Sequence, residues 1–215
     1  MASSFSIQAS LAAVPRGSTA VVVIDMQNDF CHPEGAMAQL GHDVSVNETI
    51  LAPLSEFLTA SRAAGLRIVY VQQQQSDDAV YEAMHRRVSP TATEQVAVCA
   101  AGSWGAAIHE AISPQPGDLI SAKSQFCAFL NTGLDQMLRG EGIDTLVVTG
   151  TAANVCVDTT ARGAFMRGYR VVLVSDLVGY TRSREMAQAA LSNLGIYFAD
   201  LTTSSEVLAA VSSAV

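Results

Sequence analysis

Three residues of complementary chemistry, Asp25, Lys123 and Cys156, fall at or just beyond the ends of apolar runs that read as buried strands. A carboxylate can take a proton, an amine can hold positive charge, and a thiol can attack an electrophilic carbon. Together they form a set suited to nucleophilic catalysis. The stretch around the thiol is the most informative. Leu146, Val147 and Val148 fit a strand buried on both faces, Gly150 ends it, and Val157, Ala161, Ala164 and Phe165 recur at helical spacing. Cys156 is thereby placed where a strand turns into a helix, beside N–H groups that lack intrahelical partners. That position should lower the thiol pKa and supply donors for an oxyanion. Position alone also suits a small buried apolar residue, which is what most cysteines are.

The elements that must position these groups alternate along the chain. Residues 20–25, 67–72, 118–123, 146–148, 170–175 and 197–201 read as strands. Asn47 is placed to cap a helix whose core face is Ile50, Leu51, Leu54, Phe57 and Leu58, with Gly65 as its stop. Further helices carry Leu130, Leu134, Met137 and Leu138, then Met186, Ala190, Leu191 and Leu194, the latter closed by Gly195. Thr203 and Glu206 make a capping box that opens the last helix. Residues 26–41 read as a loop. Residues 73–117 lack a clear long element, with short helices expected near 81–87 and 106–112, which marks a functional segment. Alternating strands and helices imply an α/β fold with an open parallel sheet, whose ligands bind beyond the carboxyl ends of the strands.

Composition narrows the class. At 215 residues the chain suits one domain with a full core, expected over residues 19–215 after a flexible N-terminal arm at 1–18. A net charge of −8 argues against nucleic acid or an anionic membrane surface as partner. No apolar run approaches a membrane span, and residues 1–18 lack the basic start and apolar middle of a signal peptide. Cys31, Cys99, Cys127 and Cys156 show no paired spacing, so they read as free thiols in a reducing, cytoplasmic setting.

Three segments carry a family resemblance: Val-Val-Ile-Asp25-Met-Gln-Asn-Asp-Phe30, then Pro116-Gly-Asp-Leu-Ile-Ser-Ala-Lys123-Ser-Gln-Phe-Cys-Ala-Phe129, then Val148-Thr-Gly-Thr-Ala-Ala-Asn-Val-Cys156-Val. In this order they resemble the isochorismatase-like cysteine hydrolases, which include nicotinamidases and N-carbamoylsarcosine and ureidoacrylate amidohydrolases. The resemblance covers nearly the whole chain from about residue 18. It implies a three-layer α/β/α fold with a six-stranded parallel sheet in the order 3-2-1-4-5-6, with Asp25 and Cys156 flanking the switch point. Lys123 then lies two strands from Asp25, and its place in the site rests on the resemblance. The family chemistry makes Asp25 the base, Cys156 the nucleophile and Lys123 the group that holds the Asp25 charge. It also implies an oxyanion hole from the N–H groups of Ala152 and Cys156, with a cis peptide at Thr151–Ala152.

Two departures from the family pattern bear on activity. Ala153 stands where many relatives carry Thr. The Asp-x-His set that binds metal in nicotinamidases is missing from residues 72–78, and His32, His42, His85 and His109 are scattered without ligand spacing. No cofactor and no metal are expected. The resemblance therefore points to a metal-independent amidohydrolase of a small amide, carbamoyl or ureido compound. Its alternatives are an isochorismatase-type vinyl-ether hydrolase, a nicotinamidase-like deamidase and a non-enzymatic binding module. Phe30, Trp104 and Phe126 could wall the substrate site, while Gln73 and Gln125 offer donor and acceptor pairs for a neutral amide. Relatives form dimers or tetramers, so a homodimer or homotetramer is expected, with residues 73–117 near an interface.

Overall fold

The apolar run Ala20–Ile24 has no polar residue to turn toward water, so it can only be a central strand with both faces covered. In the computed structural model, which describes residues 14–77, 79–88 and 96–212, it forms most of strand β1 (Thr19–Ile24). The other strands are β2 (Arg67–Gln73), β3 (Leu119–Lys123), β4 (Thr145–Gly150), β5 (Arg170–Val178) and β6 (Asp200–Thr202). All pair in parallel, in the order β3-β2-β1-β4-β5-β6. This is the sheet expected from the sequence. The order reverses between β1 and β4, where the crevice for a ligand opens.

Short helical turns α1 (Asn28–Cys31), α2 (Ala36–Gln39) and α3 (Ser45–Thr49) lead into α4 (Leu51–Ala63), and α5 (Ala79–Val88) follows β2. The remaining helices are α6 (Leu134–Gly140), α7 (Asp158–Phe165), α8 (Arg184–Tyr197) and α9 (Ser204–Ser212). Alternation along β1 divides the core in two. Ala20, Val22 and Ile24 pack with Leu134 and Leu138 of α6, Ala161 and Ala164 of α7 and Leu194 of α8. Val21 and Val23 pack with Leu54, Phe57 and Leu58 of α4 and Val207 and Val211 of α9. Among the described residues, no helix is long and apolar enough to cross a membrane.

Several boundaries differ from the sequence reading, each for a physical reason. Residues 1–13 of the expected arm lie outside the described residues, but 14–18 are docked: Val14 is buried, and the Arg16 guanidinium donates to the Val211 carbonyl. The loop at 26–41 contains α1 and α2. Asn47 lies inside α3 rather than capping a helix, because its side chain is drawn into the interior. The helix expected at 106–112 is only a 3₁₀ turn, Glu110–Ile112. Its first half is a turn and a bend, in which Ile108 bridges Gln27 and the Ala106 carbonyl accepts from the Gln27 amide. Helix α6 starts at Leu134, leaving Leu130 exposed. Gly195 does not end α8, which runs on to Tyr197; a Cβ there would meet Leu201 Cβ at 3.4 Å, an ordinary contact. The capping box forms as read, with Thr203 N–H donating to the Glu206 carboxylate and Glu206 N–H to the Thr203 hydroxyl.

Candidate active site

Asp25, Lys123 and Cys156 converge beyond the carboxyl ends of β1, β3 and β4. Asp25 follows β1 in a left-handed conformation (φ 52°), which Asp tolerates better than most residues. Its N–H donates to the Val71 carbonyl and its own carbonyl accepts from Gln27 N–H, so the turn is fixed on both sides. Gly150 ends β4 at φ 107°, and a Cβ there would lie 2.1 Å from the Ile24 carbonyl oxygen. Only glycine allows the thiol-bearing turn to approach the Asp25 strand this closely.

Lys123 solves the two-strand gap by register. It pairs with Gln73, whereas Ile24 pairs with Val71, so β3 carries its amine past the end of β1. Its Nζ lies 2.7 Å from Asp25 Oδ2, 2.7 Å from Gln73 Oε1 and 3.5 Å from Cys156 Sγ. Gln73, on the intervening strand, is a positioning residue that composition did not reveal. Its Nε2 donates to the Ser124 carbonyl, so its amide is turned toward the lysine. Gln27 in turn clamps β2, accepting from Gln73 N–H at 2.8 Å and donating to the Gln73 carbonyl at 2.9 Å.

Cys156 lies in a π-helical turn, Ala153–Val157, ahead of α7 rather than in an α-helical first turn. The Val157 N–H reaches back to the Ala152 carbonyl at 3.2 Å, the wide i→i+5 spacing of a π turn. The Thr151–Ala152 peptide is cis, as the resemblance implied. The turn is pinned from three sides. Thr151 N–H donates to Ile24, Ala153 N–H donates to Gly179, and the Thr151 hydroxyl bonds the Asn47 side chain at 3.0 Å. Asn47 also donates to the Phe30 carbonyl at 2.8 Å.

The electrostatics overturn one expectation. The Cys156 thiol pKa is raised, not lowered: burial dominates, the Asp25 charge adds to it, and Lys123 only partly opposes them. Burial also raises the Asp25 carboxyl, against the lowering effect of Lys123. For Lys123, burial disfavours the charge, but Asp25 and Cys156 outweigh it and hold the amine protonated. The buried cluster thus holds one positive charge and room for one negative charge, shared between carboxylate and thiol. The raised thiol pKa favours a neutral Cys156 beside the Lys123–Asp25 ion pair.

A cavity of about 120 Å³ opens over the cluster, lined among others by Asp25, Gln73, Thr151, Ala152 and Cys156. Lys123 lies behind Asp25 and is absent from this wall. Of the expected substrate contacts, Phe30, Gln73 and Phe126 line the cavity; Trp104 and Gln125 do not. Trp104 is half exposed and packs edge-on against His32, 5.0 Å between ring centroids. Gln125 is buried outside the cavity wall. The sequence reading missed Met37, Tyr81, Met84, Val98, Val155, Thr181 and Arg182, which come from five separate stretches with no shared pattern. Among the described residues, no three His, Cys, Asp or Glu side chains come together as a metal-binding group.

Comparison with known proteins places this geometry. The Isochorismatase domain model matches residues 19–206. The chain belongs to the isochorismatase family. Within that family it is 34% identical over 200 residues to the ureidoacrylate amidohydrolase RutB of Methylobacterium radiotolerans, covering 86% of this chain and 76% of that protein. A cysteine hydrolase from Pseudomonas syringae pv. phaseolicola superposes with a TM-score of 0.80 at 29% identity, covering 94% of this chain and 96% of the other. An N-carbamoylsarcosine amidase from Thermoplasma acidophilum gives a TM-score of 0.70 at 28% identity, over 87% and 96% of the two chains.

Proposed function

We propose that this family member is a cysteine amidohydrolase cleaving a small amide, carbamoyl or ureido C–N bond without a metal. The observation that carries this reading is the Lys123 amine, 2.7 Å from Asp25 and 3.5 Å from Cys156 beneath a cavity. Asp25 accepts the thiol proton as Sγ attacks the carbonyl carbon. The protonated Asp25 then gives that proton to the leaving nitrogen, and ammonia or an amine departs from a thioester. Water attacks the thioester with Asp25 again as base, and the thiol is restored. At each step the cluster keeps a single buried anion opposite Lys123, which avoids the cost of two. The N–H groups of Ala152 and Cys156 serve as donors to the oxyanion. The relatives named for ureidoacrylate and N-carbamoylsarcosine support a carbamoyl or ureido substrate.

The test is ammonia release from a panel of primary amides and ureas, run before and after exhaustive chelation. Cys156→Ser should fold with an unchanged melting curve and lose nearly all turnover. A variant that retains more than about a tenth of the wild-type rate, a difference of about 1.4 kcal/mol in barrier, would refute covalent catalysis through this thiol. Loss of activity on chelation would overturn the metal-free part of the reading. We further infer a homodimer or homotetramer, supported by large apolar side chains left exposed on the α7 and α8 side: Phe165, Met166, Ile196 and Tyr197.

A further inference from the structure

Apart from the reacting groups, most of the cavity wall is hydrocarbon and thioether. Phe30, Met37, Tyr81, Met84, Val98, Phe126 and Val155 supply it. The neutral polar side chains of the wall for which a partner is resolved are turned inward. The Gln73 amide is held by Lys123 and the Ser124 carbonyl, the Thr151 hydroxyl by Asn47, and the Tyr81 hydroxyl by the Val98 carbonyl. Arg182, the exposed member of the lining, stands where the cavity meets solvent. A substrate atom that needs a hydrogen bond finds donors at the cysteine turn. Along most of the rest of the wall it meets carbon and sulfur, where an unmatched polar group is penalised.

We propose that the substrate's non-reacting part is a compact hydrocarbon group, so that this enzyme prefers an amide or monosubstituted urea carrying a short branched alkyl chain. The proposal rests on the amidohydrolase reading and extends it to substrate class. Size follows from volume. An apolar cavity of about 150 Å³ holds one benzene ring, so the present cavity of about 120 Å³ takes roughly five non-hydrogen atoms. The carboxamide uses three of them, which leaves room for a chain of about two or three carbons. Met37 and Met84 are unbranched and adjust to the branch point.

The experiment measures kcat/KM for acetamide, propionamide, isobutyramide and 2-naphthamide, with the matching N-alkylureas, N-carbamoylglycine and ureidoacrylate alongside. Each carbon added up to isobutyramide should raise kcat/KM about fourfold, corresponding to about 0.8 kcal/mol per buried methylene. Naphthamide should fall back below propionamide. Met84→Gln and Met37→Gln keep side-chain length at half-buried positions. Each should flatten the hydrocarbon series, lowering kcat/KM for isobutyramide about tenfold more than for acetamide, a polar atom having entered the wall. Turnover of ureidoacrylate or N-carbamoylglycine with a flat or falling alkyl series would overturn the hydrocarbon preference and leave the amidohydrolase reading standing. No turnover of any amide or urea would overturn both.

Discussion

At the residue scale the decisive fact is that Asp25 acts on Cys156 in two opposing ways. In the proposed mechanism it is the base that receives the thiol proton, and it is also a negative charge that disfavours the thiolate. Asp25→Asn separates these effects. Without the carboxylate, Lys123 faces the thiol alone and stabilises the thiolate, so Cys156 should be alkylated faster by iodoacetamide near neutral pH than in the wild type. Turnover should nonetheless fall by about 10²-fold or more, because the general base is gone. Cys31, whose pKa burial pushes up to about 12, and the buried Cys99 should label slowly in both proteins, and peptide mapping distinguishes them from Cys156 and the half-buried Cys127. Slower labelling of Cys156 in Asp25→Asn would show that Lys123 does not stabilise the thiolate.

At the element scale, the turn between β4 and α7 is held by a bracket whose parts are far apart in sequence. Asn47 from α3 bonds Thr151 and the Phe30 carbonyl, and Gly179 after β5 packs against it. A Cβ on Gly179 would lie 1.9 Å from Asn47 Oδ1, so no other residue fits while the asparagine is in place. Asn47→Ala leaves two buried partners unsatisfied and should cost about 1–3 kcal/mol in urea denaturation. Gly179→Ala should cost at least as much by driving the asparagine off Thr151. With Asn47 cut to alanine, the nearest remaining contact is the residue 47 Cα at 3.5 Å, an ordinary distance. The double variant should therefore be more stable than the sum of the single losses predicts, by about 0.5–3 kcal/mol. Strict additivity would show that the two positions do not form one unit.

At the scale of the whole molecule, a parallel sheet covered on both faces leaves binding to its carboxyl edge, and the site sits there between β1 and β4. The side of the molecule bearing α7 and α8 behaves differently. Phe165, Met166, Ile196, Tyr197 and Leu201 are each more than two-fifths exposed, and the rings of Phe165 and Tyr197 both lie near Phe198. Covering these side chains by a second copy is the simplest reason for leaving them apolar. Light scattering at micromolar concentration should give a multiple of the 22.6 kDa chain mass, and Met166→Glu with Ile196→Glu should reduce it. A monomer mass for the unaltered protein would overturn the assembly reading.

The parallel strands and the places of Asp25 and Cys156 at their ends were legible from local pattern, while the strand order and the place of Lys123 came from the family resemblance. Unbroken apolar runs such as 20–24 and 146–148 can only be central strands, and a charged or nucleophilic residue just past such a run lies at the edge where ligands bind. What tertiary structure alone decided was everything set by approach between distant segments. The Cys156 pKa follows burial and the Asp25 charge rather than its place at a turn, so a local argument from helix position gave the wrong sign. Trp104 and Phe30 read alike as aromatic candidates, yet one packs on His32 at the surface and the other walls the cavity. Gln73 read as a substrate donor, but its position on the strand between Asp25 and Lys123 turns its amide to the lysine. Asn47 sits at a helix start that suited capping, but its partner Thr151 is 104 residues away. Spacing along a chain fixes which face a residue occupies; which neighbour it meets there depends on how the strands are ordered and the loops packed.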